Sequence, residues 1–116
     1  MARLILSVDG VVIKEYTITK ERTTIGRKAV NDVQIEDDFL SSEHAVIVHA
    51  GNDCILEDLG STNGTVVSGK PVKRHFLKSN EVIEFGDYQL NFVDEADYPQ
   101  ENFLISRMVR SKTVKP

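Results

Sequence analysis

Three clusters of small polar and charged residues stand out in this chain: Asp58-Leu59-Gly60-Ser61-Thr62-Asn63-Gly64-Thr65, Gly26-Arg27 and Ser41-Ser42-Glu43-His44. Ser61, Thr62 and Asn63 place two hydroxyls and one amide in a row, more hydrogen-bonding capacity than a simple connection needs. Asn63-Gly64 suits the positive φ values of a tight turn. A loop equipped in this way can grip another backbone or an anion. Arg27 adds a fixed charge and a planar fork that suits phosphate. Hydroxyls of Ser41, Ser42 and Thr62, with loop N–H groups, match the three terminal oxygens of a phosphate monoester carrying about −1.5 to −2 charges. Asn63 has both a donor and an acceptor, which is what pinning a peptide main chain requires.

Taken singly, each feature has an ordinary explanation. Asn-Gly closes hairpins, a loop Arg is usually solvated, and paired serines are common in loops. The set together points to a binding site. A nucleophilic reading would use Ser41 or Ser42 with His44 as base and Asp58 as orienter. No Gly-x-Ser-x-Gly elbow accompanies them, so His44 reads more simply as a buried ring bridging two loops. His44, His49 and His75 lack paired spacing and a Cys partner, and Asp37-Asp38 lacks the spacing and glycine of a calcium loop. No metal and no cofactor are expected.

The elements that must hold these clusters are short strands. Residues 3–8 and 11–18 flank an Asp9-Gly10 turn, and 22–25 stops at Gly26. Residues 33–35, 44–49, 54–58, 65–67, 70–72, 81–85 and 88–93 follow, punctuated by turn residues. Their number and spacing predict an all-β sandwich of two antiparallel sheets with about ten to eleven short strands. The composition shifts after Val93. Residues 1–94 form the expected domain and 95–116 a tail or linker, basic and with the apolar residues Phe103, Leu104, Ile105, Met108 and Val109.

At 116 residues the chain is long enough to bury a core without metal or disulfide support. Hydrophobic residues at 41% and charged ones at 28% fit an ordinary globular domain. No apolar run approaches a membrane span, and the opening residues read as a strand rather than a signal peptide. The single Cys54 excludes an internal disulfide and, in an apolar run, suggests a buried thiol in a reducing, cytoplasmic setting. A net charge of −4 argues against nucleic acid as a partner, so any anion site must be local.

Gly26-Arg27, Ser41-Ser42-Glu43-His44-Ala45 and Asp58 to Thr65, in this order, resemble the forkhead-associated (FHA) domain family. The Ser68-Gly69 turn and the last hairpin, with Val82, Phe85, Gly86 and Leu90, extend the likeness over residues 4–93. The resemblance implies a sandwich of the SMAD/FHA type that binds phosphothreonine peptides in Ser/Thr kinase signalling, with no enzymatic activity. By it, Arg27, Ser41 and Thr62 contact phosphate, Asn63 holds the peptide main chain, and Gly26, His44 and Gly64 shape the loops. Many members carry Arg, Lys or Asn where Ser42 stands, and Ser42 retains one hydrogen bond to offer. The implied partner is a phosphothreonine protein, in trans or in the same polypeptide, with a Ser/Thr kinase upstream and neither nucleic acid nor membrane. The alternative reading is the same fold as an oligomerisation or intramolecular docking module with a vestigial phosphate site. Asp37 and Asp38, close to the ligand loops, are expected to disfavour acidic residues a few positions after the phosphothreonine, where some relatives accept them.

Overall fold

The computed structural model describes residues 1–95, and the tail expected from residue 95 onward lies, apart from Glu95, outside them. Eleven strands form two packed sheets. The first contains β1 (Ala2–Val8), β2 (Val11–Thr17), β7 (Thr65–Val67), β8 (Lys70–Val72), β10 (Val82–Phe85) and β11 (Tyr88–Asp94), in the order β2-β1-β11-β10-β7-β8. The second holds β3 (Arg22–Gly26), β4 (Val33–Gln34), β5 (Ala45–Ala50), β6 (Asp53–Asp58) and β9 (Arg74–Phe76), in the order β4-β3-β5-β6-β9. Pairing is antiparallel except between β3 and β4, which run parallel over two residues. Strand β9 has no counterpart in the sequence reading.

Alternation sets which side chains enter the core, because successive strand residues face opposite sides. Leu4 and Leu6 of β1, Leu90 and Phe92 of β11, and Ile83 and Phe85 of β10 point inward from the first sheet. Ile25, Ala45, Ile47, Cys54 and Leu56 meet them from the second. The Cys54 thiol is buried. One edge of the first sheet, β2, leaves Val11, Val12 and Ile13 exposed. Among the described residues no helix is long and apolar enough to cross a membrane.

What this frame does for function is bring loop ends together. Ile25 pairs with Ala45, and Ala45 with Asp58. The C-terminal end of β3, the N-terminal end of β5 and the C-terminal end of β6 therefore lie side by side at one end of the second sheet. Arg27, Ser41-Ser42 and the 59–64 loop all leave from there.

Candidate functional site

Gly26 ends β3 because nothing larger fits. A Cβ there would overlap the Ser42 carbonyl and sit 2.6 Å from Asn31 Nδ2. The chain approaches this closely because the Arg27 N–H donates to the Ser41 carbonyl at 3.0 Å and the Lys28 N–H to that of Ser42 at 3.3 Å. Asn31, buried, donates to the carbonyls of Lys28 (2.8 Å) and Ser42 (2.7 Å) and locks the turn from behind. The sequence reading missed Asn31; only its place in a Gly-Arg loop, where an amide can bridge two backbones, hints at the role.

Held in this way, Arg27 is half-buried, with Nη1 donating to the Leu40 carbonyl at 2.6 Å and Nη2 to Ser42 Oγ at 3.1 Å. Of the five guanidinium N–H groups these bonds take two, so the fork is oriented and still has donors to offer. Among the described residues Arg27 forms no ion pair with a carboxylate. Ser42 stands beside the guanidinium as its acceptor.

His44 ties the loops together. It is fully buried one position ahead of β5, not within it. The Ser41 N–H donates to Nδ1 at 3.0 Å, so that nitrogen carries a lone pair, and Nε2–H donates to the Gly64 carbonyl at 2.8 Å. Phe85 packs edge-on to the ring at 5.0 Å and Phe39 stacks beside it at 6.3 Å. With both nitrogens engaged by backbone groups, the ring does not face a serine hydroxyl as a base. Asp58 lies on other partners, so the nucleophilic triad is not assembled.

Asp58 organises the 59–64 loop. Its carboxylate accepts from the N–H groups of Gly60 and Ser61, both at 3.0 Å, and from the hydroxyls of Ser61 and Thr65. Burial alone would raise its pKa. The Ser61 and Thr65 hydroxyls, with the Ser61 and Gly60 N–H groups, outweigh that and hold the carboxyl below the ordinary carboxylate value. Ser61 Oγ in turn accepts from the Gly64 N–H at 3.0 Å. Gly64 has φ +83°, which favours glycine, whereas Asn63 does not share the positive φ expected of it.

A folded-state pKa lowered in this way contributes stability that is complete above the unfolded value, about 3.9, and is lost as pH falls through the folded one. Asp58→Asn should therefore lower the denaturation midpoint at neutral pH and flatten its decline below about pH 4. Midpoints measured from pH 7 to 3 check this; parallel curves for the two proteins would contradict it.

The remaining contacts close the site. The Thr62 N–H donates to Ser41 Oγ at 3.0 Å, which leaves the Ser41 O–H free to donate outward. Asn63 Nδ2 donates to the Phe39 carbonyl at 2.8 Å, which leaves Oδ1 as an acceptor toward solvent. Arg27, Asp38, Phe39, Leu40, Ser41, Thr62 and Asn63 line one depression of about 120 Å³. Drug-sized ligands occupy clefts of about 300–1,000 Å³, so this one suits a single functional group on a longer ligand. Four of the five residues named for ligand contact meet there, and Ser42 stands behind Arg27. Leu40 and Phe39 enter through backbone carbonyls, which residue type does not announce.

The β-sandwich thus gathers a charged fork, hydroxyls and a loop amide at its strand ends. A model of the FHA domain matches residues 23–86, more than half of the chain, and the chain belongs to that family. The oxoglutarate dehydrogenase inhibitor of Corynebacterium jeikeium is 29% identical over 79 residues, covering 68% of this chain and 55% of that protein. The glycogen accumulation regulator GarA of Mycobacterium tuberculosis is 31% identical over 78 residues, covering 67% and 48%. The chain thus spans about half the length of the curated relatives it matches. A domain solved for phosphothreonine-dependent FHA domain interactions superposes with a TM-score of 0.75 at 30% identity, covering 84% of this chain and 97% of that one. Mycobacterium tuberculosis EmbR, solved in complex with a low-affinity phosphopeptide, gives 0.72 at 29% identity, covering 79% and 24%. FHA domains bind phosphothreonine peptides, and the chain is a module of that kind in phosphorylation-dependent protein–protein interaction.

Proposed function

We propose that the depression at the ends of β3, β5 and β6 receives the phosphate of a phosphothreonine. Arg27, Ser41 and Thr62 donate to its oxygens, Ser42 orients Arg27, and Asn63 holds the peptide main chain through its free Oδ1. Gly26, His44 and Gly64 set the loop geometry. The observation that carries this reading is the unpaired, oriented Arg27 fork in one depression with the free Ser41 hydroxyl. The ligand is a phosphothreonine protein, made by a Ser/Thr kinase, in trans or in the same polypeptide. Residues 1–94 form the reading domain and 95–116 a tail; the setting is cytoplasmic, and the module binds rather than catalyses.

Phosphoserine and phosphothreonine present the same phosphate, so discrimination rests on the threonine methyl. Burying one such group contributes about 0.8 kcal/mol, roughly fourfold in affinity. Matched phosphothreonine, phosphoserine and unmodified threonine peptides, compared by fluorescence anisotropy, should rank in that order, with the last not binding. Equal affinity for the two phosphopeptides would mean a site for bare phosphate and would overturn the phosphothreonine assignment.

A further inference from the structure

We propose that this site selects phosphothreonine peptides with basic residues close to the phosphothreonine, and that Asp38 does the selecting; the inference rests on the phosphothreonine reading above. The depression that contains the Arg27 fork is also lined by Asp38. A carboxylate beside a phosphate site is an electrostatic cost to the ligand unless something offsets it.

The surrounding charges do not offset it. The β4–β5 connection carries Glu36, Asp37, Asp38 and Glu43, against Arg27 and Lys28 from the loop before it. These carboxylates are not equivalent. Asp37 Oδ1 accepts the Phe39 N–H at 2.8 Å and so serves its own turn. Asp32 of the β3–β4 loop is paired with Lys20 at 2.6 Å. Asp58 is enclosed by the hydroxyls and N–H groups of its loop. Asp38 is exposed and has no hydrogen-bond or ion-pair partner among the described residues.

Two charges of opposite sign, neither of them in an ion pair among the described residues, therefore line one small depression. A phosphate alone satisfies Arg27 and leaves the Asp38 carboxylate facing a dianion. A ligand with an ammonium or guanidinium group a residue or two from the phosphothreonine satisfies both, since each extended residue advances the chain by about 3.3 Å. An acidic neighbour adds a second repulsion. Recognition thus reads a pattern of alternating charge along the peptide.

The test uses phosphothreonine peptides identical except for Lys, Ala or Glu flanking the phosphothreonine, with unphosphorylated counterparts. Anisotropy titrations at low and at physiological salt compare the wild-type chain with Asp38→Asn, an exposed and nearly isosteric change. An exposed charge pair contributes up to about fivefold. The Lys peptide is expected to bind at least about fivefold more tightly than the Glu peptide to wild type at low salt, with the gap narrowing in salt. The gap should shrink by at least half in Asp38→Asn, chiefly through tighter binding of the Glu peptide. An unchanged gap in the variant, or none in wild type, overturns this inference alone. Failure of every phosphopeptide to bind overturns both it and the reading beneath it.

Discussion

Arg27→Ala is expected to take phosphothreonine-peptide binding out of the measurable range while the sandwich stays folded. Arg27 is the fixed positive charge in the depression, and it forms no ion pair with a carboxylate among the described residues. Truncating one partner of a desolvated charge pair costs about 2–5 kcal/mol. A ligand bound at about 1 μM, near −8.2 kcal/mol, would then fall toward millimolar affinity or beyond. The fold loses two hydrogen bonds, to the Leu40 carbonyl and Ser42 Oγ, each worth about 1 kcal/mol net. Ser42 is half-buried, so water can replace the donor there, whereas Leu40 is buried, so its carbonyl accounts for most of a loss that the rest of the sandwich is expected to withstand. Arg27→Lys should bind at an intermediate level, because a lysine restores charge without the fork. Titration calorimetry beside a thermal melt decides the matter. A binding constant for Arg27→Ala within about threefold of wild type would remove Arg27 from the site.

His44→Ala should act first on stability. The ring is fully buried between Phe39 and Phe85, so its removal opens a cavity in a packed region. It also leaves the Ser41 N–H and the Gly64 carbonyl without partners, at about 1–3 kcal/mol each. With the cavity cost, the loss reaches about 3–5 kcal/mol, a large share of the roughly 5–15 kcal/mol available to a domain. A fall in the urea midpoint is expected, with weaker peptide binding as its consequence because Ser41 and the 59–64 loop lose their common anchor. An unchanged midpoint together with loss of a hydrolytic activity would return His44 to the catalytic reading.

The strands that were legible in the sequence are those bounded by local chemistry. Asp9-Gly10, Ser68-Gly69 and Gly86-Asp87 are turns whose residue types state the backbone they need, and the alternation of β1 and β11 states which face is buried. Strand β9 was not legible for the opposite reason. Arg74, His75 and Phe76 are too few to show a period, and they are a strand only because β6 pairs with them. The parallel pairing of β4 likewise depends on where Gly26 already lies. In the candidate site, Arg27, Ser41, Thr62 and Asn63 could be named from the sequence as candidates because their side chains carry hydrogen-bonding or charged groups, and they line one depression. The carbonyls of Phe39 and Leu40, and the bracing amide of Asn31, act through position, which only the folded chain supplies.

The ties that cross the three loops have a kinetic consequence. Arg27 to Leu40, Ser41 to Thr62, His44 to Gly64 and Asn63 to Phe39 hold each loop to another before any ligand arrives. Capture then needs no ordering of the backbone, so no slow isomerisation separates encounter from the bound state. The association rate is therefore expected to rise in proportion to peptide concentration, with differences among peptides expressed mainly in how long each one stays.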